Sequence, residues 1–392
     1  MGAATAQTGT GGQVISLPGV VAAVIGLAGL VLPFVQFRAN RIVAGEGLHL
    51  PDVLGGTGAA VLAGLAAVFV LAALRGVRPA LRLAVAVAAL TALTLTLGQA
   101  ATMLSDGGAI ARVSPAAGYW VLTLALGLIA ADGAAQMRLR PPAHWLLLAV
   151  TVAAAAALIG SGVLDDVSVM REYAARADQF WREGARHLIL AFASLGAALV
   201  VGLPLGIVVY TVPGLRGAVL GALDFIQTIP SLALFGLMIP LFGWVAANVP
   251  GAAGAGIAGI GAFPALVALF LYSLLPVVSN MVVGLDSIPA SIREAATGLG
   301  MTRTQALRRV MIPLTLPVVL AAVRIVLVQN IGLAVIAGLI GGGGFGSFVF
   351  QGLNQTAMDL ILLGALPTIA LALVSSIALD IALVQLKRPE AA

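Results

Sequence analysis

Asp224, Gln227, Thr228 and Ser231 recur at i, i+3, i+4 and i+7, the spacing that gathers side chains on one face of a helix. They stand within 218–243, a run otherwise apolar enough to cross a bilayer. Tyr272, Ser273, Pro276, Ser279 and Asn280 make a similar face within 257–283. Hydroxyls, amides and a carboxylate are costly against lipid, so each stripe must meet protein or a water-filled cavity. The chemistry on offer is hydrogen bonding and electrostatic recognition. Two uses stay open: lining the path of a solute, or bonding helix to helix at about 0.6 kcal/mol per contact. Arg324 is sharper still. It lies eleven residues beyond Pro313, about 16 Å along a helix and so near mid-membrane. A lone arginine there costs at least roughly 2.5 kcal/mol on insertion scales. A partner is expected, Asp224 first, with Asn330 or backbone carbonyls as alternatives. Asp380 is expected to snorkel to water from the cytoplasmic end of its helix.

Bond-breaking chemistry finds no support. The chain has no cysteine, which excludes disulfides, thiol catalysis and cysteine–metal sites. His49, His144 and His187 are far apart at segment ends and read as boundary residues, not as metal ligands. A membrane-embedded enzyme would need converging His, Asp or Glu inside the spans, and the spans are nearly bare of them. No phosphate loop ending Gly-Lys-Ser/Thr occurs. Gly341–Gly346 is glycine-rich but lacks the lysine, and reads as a tight re-entrant turn on the outer side. No cofactor or metal is therefore expected in this chain.

The elements holding these residues are membrane helices. Apolar residues make up 61% and charged residues 9%, against roughly a quarter charged in a soluble domain; mean hydropathy is +1.11. With roughly 20 apolar residues needed per span, ten segments qualify: 14–37, 53–74, 83–104, 116–136, 145–164, 188–210, 218–243, 257–283, 313–338 and 358–385. The fold class is all-α, a polytopic membrane protein of about ten transmembrane helices. The first segment lacks a basic n-region and a cleavage site, and reads as a retained helix.

The net charge of +5 comes from nineteen arginines and Lys387 against fifteen acids. In this setting it fixes orientation and does not bind nucleic acid. With residues 1–13 inside, twelve basic residues fall in inner loops (Arg75, Arg78, Arg82, Arg138, Arg140, Arg216, Arg293, Arg303, Arg308, Arg309, Lys387 and Arg388). Seven fall outside, among them Arg38, Arg41 and Arg112. Both termini are thus expected in the cytoplasm. Four parts follow: an N-terminal membrane extension (1–164), an outer amphipathic linker (165–186) with Tyr173, Phe180 and Trp181 as interfacial anchors, a five-helix unit (187–386), and a tail (387–392). Asp132 is the extension's one acid in or near a span, close enough to the cytoplasmic end to reach water. No internal repeat stands out.

Between two spans lies a polar island at 284–312 that reads as two short helices. Ser291-Ile292-Arg293-Glu294 and Thr302-Arg303-Thr304-Gln305 both fit capping boxes, with Ser287 an alternative cap for the first. Pro289 suits a first turn, and Gly298 and Gly300 let the backbone reverse. Ala295 and Ala296 are small enough for another protein to approach closely, and Glu294 offers a charge to a basic partner. An ordinary solvated hairpin is the other reading.

Glu294, Ala295, Ala296, Gly300, Val310, Ile312 and Pro313 together resemble the EAA loop of binding-protein-dependent (type I) ABC importer permeases. The loop spans 287–312, and Val310 and Ile312 depart from the usual Ile and Leu while staying apolar. Gly202-Leu203-Pro204-Leu205-Gly206, the stretch Phe225–Leu234, Ala268–Pro276 and Leu339–Gly346 look like the osmoprotectant branch, whose members import glycine betaine, choline, carnitine and related quaternary amines. The long extension resembles the YehY-type betaine permease in layout only.

The resemblance covers roughly 187–386. It implies coupling to a motor subunit through Glu294, Ala295, Ala296, Gly298, Gly300 and Pro313. Independently of the resemblance, the two polar stripes and Arg324 offer a path along Asp224, Gln227, Thr228, Ser231, Tyr272, Ser273, Ser279, Asn280 and Arg324. The implied partners are ABC ATPase subunits that bind ATP and Mg, a second permease copy or paralogue, a periplasmic substrate-binding protein docking near 244–256 and Gly341–Gly346, and the lipid of a bacterial inner membrane. The alternative is a secondary transporter driven by an ion gradient, for which repeated halves and broken helices would speak.

Overall fold

The computed structural model describes residues 16–40, 43–74, 76–105, 110–137 and 139–387. The placement of residues 1–13, the side chains of Arg41, Arg75, Arg138, Lys387 and Arg388, and the end of the tail lie outside the described residues. Among those described, nine helices are long and apolar enough to cross a membrane, and one shorter apolar helix joins them. They form two compact units. The first holds the described residues up to Arg140 together with Thr151–Arg171; the second holds Pro141–Val150 and the residues from Glu172 onward.

In the first unit the elements run α1 (Leu17–Leu30), β1 (Val35–Arg38), β2 (Glu46–Leu48), α2 (Leu50–Ala73), α3 (Pro79–Ser105), β3 (Arg112–Pro115) and α4 (Ala117–Gln136). The apolar run 14–37 is therefore not one long helix. α1 stops after 14 residues, and beyond Pro33 the chain turns extended, with Phe34 N–H donating to the Leu48 carbonyl at 2.8 Å. A three-stranded antiparallel sheet in the order β2-β1-β3 follows, Val35 lying opposite both Leu48 and Pro115. An all-helical reading missed this sheet because a short strand next to an apolar helix looks like more helix. Helices α1 and α2 touch closely because Gly19 has no side chain: a Cβ there would lie 1.9 Å from the Ala72 carbonyl oxygen. The core gathers Ala22, Leu65, Phe69, Leu93, Leu97, Leu122 and Leu126. Asp132 does not simply reach water. It accepts from buried Arg82 at 2.9 Å and from Gln136 at 2.8 Å.

Helices α5 (Pro141–Gly160) and α6 (Ser168–Ala175) straddle the division. The second unit continues with α7 (Ala177–Thr211), α8 (Pro213–Thr228), α9 (Ser231–Asn248), α10 (Ala262–Asp286), α11 (Ala290–Gly298), α12 (Arg303–Ala306) and α13 (Ile312–Leu333). A 3-10 turn (Ile336–Ile340), α14 (Gly346–Asn354) and α15 (Met358–Lys387) complete it. The expected linker 165–186 is largely α6 and the first turns of α7, a helix of 35 residues and about 52 Å. Trp181 is exposed. Phe180 instead packs on Tyr173, Phe345 and Phe348, with ring centroids 5.1, 5.3 and 6.3 Å away.

Small residues set the spacing of the central helices, as expected where lipid supplies no hydrophobic drive. A Cβ on Gly202 would lie 2.8 Å from Val277, and one on Gly206 would lie 2.7 Å from Met281, so α7 can lie directly on α10. Gly284 lets α10 meet α13 at Thr315 in the same way. Between them Ser194, Ser273 and Asn330 bind three helices together, the Asn330 amide donating to Ser194 Oγ at 3.0 Å and to Ser273 Oγ at 2.9 Å. All three are buried.

Candidate translocation and coupling site

The stripe expected on one helix at 218–243 is divided between two. The helix breaks at Ile229–Pro230, because proline lacks the N–H that would continue the ladder and disfavours helical geometry in the residue before it. Asp224, Gln227 and Thr228 sit on α8, whereas Ser231 opens α9. Asp224 and Thr228 are exposed. Thr228 donates to its own helix at Phe225, and Asp224 makes no ion pair among the described residues.

Gln227 and Tyr272 are bound to each other's helices. Pro276 inside α10 cannot donate to the carbonyl of Tyr272, four residues back. The Gln227 amide donates to that orphaned carbonyl at 2.8 Å. In return the Tyr272 hydroxyl donates to the carbonyl of Ile229, at the break between α8 and α9. Two proline defects in facing helices are thus satisfied by one reciprocal pair of side chains. Ser273 is fully buried against Asn330 and the Leu269 carbonyl. Asn280 donates to the Pro276 carbonyl at 2.8 Å and Ser279 to the same oxygen at 3.4 Å. Half-buried, these last two remain on the accessible side of α10.

Arg324 pairs with Asp380 of α15, not with Asp224. Asn330 is spent on the serines. Asp380 is therefore a counter-ion, its carboxylate still 51% exposed. The expectation failed because α13 and α15 pack side by side, a neighbour relation that sequence distance does not show.

The polar island folds as two helices, with one capping box formed and one not. Thr302 and Gln305 bond reciprocally, at 2.9 and 3.3 Å. At α11 the N-cap is Pro289 with no side-chain cap, and the Ser287 hydroxyl turns back to the Gly284 carbonyl at 2.7 Å. The reversal belongs to Gly300 alone, at φ +77°, while Gly298 stays helical. Beyond it the chain is helical from Arg303 to Leu333, with a π turn at Leu307–Met311. Pro313, which has no N–H to donate, stands two residues beyond that turn. Ile288, Ile292 and Ala296 face inward, in or beside a cluster of Met281, Leu285 and Met311. Glu294, Ala295, Gly298 and Leu299 face outward, Leu299 at 78% exposure. Arg293 reaches Tyr210 of α7 at 3.3 Å, and Arg216 of α8 pairs with Asp286 of α10 at 3.0 Å. Neither tie was foreseen from spacing.

The glycine run is a strap on α7. Gly341, Gly343 and Gly344 all have positive φ (74°, 79° and 82°). Glu183 accepts from Gly344 N–H at 2.6 Å, and His187 Nδ1 accepts from Phe345 N–H at 3.4 Å. That leaves His187 Nε2–H to donate to the Ile331 carbonyl at 3.0 Å. His187 is fully buried, not a boundary residue. No metal-binding group of three or more His, Cys, Asp or Glu occurs among the described residues.

Family models match both units. One described as the N-terminal domain of the ABC transporter permease YehY covers residues 16–170. Another, described as a binding-protein-dependent transport system inner membrane component, covers residues 198–388. The osmoprotectant import permease protein OsmW of Salmonella typhimurium is 43% identical over 48% of this chain and 83% of its own length. The chain belongs to the binding-protein-dependent ABC importer permeases. The glycine betaine/carnitine/choline permease protein OpuCB of Bacillus subtilis is 35% identical over 48% of this permease and 79% of its own length. The methionine ABC transporter MetNI in inward-facing conformations is 24% identical over 54% of this permease and 97% of that chain, with a TM-score of 0.47. In ABC importers ATP hydrolysis sits on a separate subunit, so this multi-pass membrane protein is a permease and not itself an enzyme. Family membership decides against an ion-gradient carrier, even though the break at Ile229–Pro230 is a feature such carriers share.

Proposed function

We propose that this permease carries a quaternary-amine osmoprotectant such as glycine betaine across a bacterial inner membrane by alternating access, as a dimer with itself or a paralogue. Both termini lie in the cytoplasm. Helix α11 seats on an ATPase subunit that binds ATP and Mg, and a periplasmic binding protein delivers the solute. The observation that carries this reading is the two-sided build of α11. On its inner face Ile292 packs against the cluster that holds Ile288, just before the helix, and Ala296 is buried, whereas its outer face of Glu294, Ala295 and Gly298 is left bare. A small, bare face on a rooted helix is what a motor subunit needs in order to push on the spans. The electrostatics of the spans favour the solute class. Asp380 offsets the charge of Arg324 that would otherwise repel an ammonium group, while Asp224 stays exposed on α8.

The test is uptake of radiolabelled glycine betaine, choline and carnitine into proteoliposomes that hold the permease, its ATPase and its binding protein. ATP-driven uptake of at least one, lost in Ala295→Trp together with ATPase binding, is the expected result. Uptake of none of the three despite ATP hydrolysis stimulated by the binding protein would reject the substrate class. Undiminished ATPase binding by Ala295→Trp would reject the docking role.

A further inference from the structure

Helix α8 is held to α10 at two points near its ends, with an apolar seam between them. At one end Arg216 meets Asp286 at 3.0 Å, on the last residue of α10. At the other, the Gln227 amide donates to the Tyr272 carbonyl and the Tyr272 hydroxyl to the Ile229 carbonyl, beside the Ile229–Pro230 break. Between the two lie Val219, Leu220, Leu223 and Ile226 of α8, packed on Leu271, Leu274, Leu275, Val278 and Val282 of α10. Arg216, Leu220, Leu223 and Gln227 follow i, i+4, i+7 and i+11, so both clamps and the seam share one helical face. A second face, with Gly217, Gly221, Asp224 and Phe225, is exposed. Only Ser287, Ile288 and Pro289 separate Asp286 from α11. On the far side of Pro230, α9 is a separate rod with no backbone ladder running through the break.

We propose that α8 is a lever: clamped to α10 by Arg216–Asp286 and Gln227–Tyr272, it moves as one body with α10 and α11 and bends against α9 at Ile229–Pro230. Arg216, Asp286, Gln227 and Tyr272 are then positioning residues for transport. The geometry supports this in a particular way. A helix fixed at one end only would pivot and lose the motion, whereas two fixed points some 16 Å apart pass rotation as well as translation. The break next to the second clamp confines bending to one place. This inference rests on the docking role given to α11 above.

The absence of cysteine makes the test clean. Spin labels are placed at the exposed positions Leu215 (α8), Leu241 (α9) and Val283 (α10), and labelled copies are diluted into unlabelled ones. In the full complex the 215–283 distance should stay constant between nucleotide-free and ATP-vanadate states, while 215–241 shifts. In Arg216→Ala with Asp286→Ala, 215–283 should broaden and the 215–241 shift should shrink. ATP hydrolysis should continue with several-fold less solute moved per ATP. The swap Arg216→Asp with Asp286→Arg should restore both readouts. Tyr272→Phe, which keeps the ring and loses one bond, should blunt the shift without loss of folded protein. A 215–283 distance that changes with nucleotide in the wild type, or unaltered coupling in the clamp variants, overturns the lever. A wild-type complex whose α11 binds no ATPase overturns the docking role, and the lever with it.

Discussion

Arg82 and Asp132 meet inside the first unit at 2.9 Å, with the guanidinium 3% and the carboxylate 20% exposed. Arg82 also reaches Ser16 Oγ at 3.4 Å and the Leu74 carbonyl, so one side chain ties the starts of α1 and α3 to the ends of α2 and α4. Removing one partner strands a charge that the fold keeps from water. Asp132→Ala is expected to cost about 3–5 kcal/mol, whereas Arg82→Met with Asp132→Leu should regain most of that loss. Thermal unfolding in detergent of the two singles and the double decides. A double variant no better than either single would show that the pair has no such role.

The bonds from Asn330 to Ser194 and Ser273 hold α13 against α7 and α10. The serine hydroxyls are also satisfied by Leu190 and Leu269 carbonyls on their own helices, at 2.6 and 2.7 Å. Asn330→Ala therefore strands little, and a loss of about 0.6–1.7 kcal/mol is expected. Asn330→Asp buries a charge whose partners are two hydroxyls and should lose clearly more. Unfolding midpoints of the two variants give the ranking, and the reverse order would contradict it.

Two glycines of one region should respond oppositely to a methyl group. At Gly346 a Cβ would lie 1.8 Å from the Val335 carbonyl oxygen, a backbone atom that cannot step aside. Gly346→Ala should thus fail to yield folded protein. At Gly332, inside α13, nothing lies within 4 Å of the added carbon, and Gly332→Ala should stabilise by up to about 1 kcal/mol through lower chain entropy in the unfolded state. Yield after membrane extraction and the unfolding midpoint report the contrast.

Asp166, in the loop after α5, carries a pH dependence of definite sign. The hydrogen bond from Arg171 at 2.9 Å, then one from Thr102, hold its carboxyl below the usual carboxylate value against a smaller opposing effect of burial. A depressed folded pKa stabilises the fold above about pH 4 and loses that contribution as pH falls through the lower folded value. With the carboxylate 37% exposed, the effect is at most about 1 kcal/mol. Asp166→Asn should be less stable than wild type at neutral pH and converge with it in acid. Hydrogen exchange over 160–171 across pH follows this locally, and parallel curves would refute it.

Composition and apolar run length were enough to make this a multi-span helical membrane protein, because a bilayer permits few other solutions to the backbone's hydrogen bonds. The EAA-like spacing likewise placed a short exposed helix before Gly300, since a left-handed turn and a Thr–Gln capping box are local chemistry written in adjacent residues. What no run of adjacent residues contains is which helix lies beside which. Asp380 as the counter-ion of Arg324, Gln227 serving the carbonyl that Pro276 orphans, and Glu183 holding the glycine strap join positions 45 to 161 residues apart. Only packing decided them. An apolar helix face of Ala, Leu, Val and Gly accepts many neighbours equally well, and the few polar groups and missing side chains select one arrangement once the helices are already together.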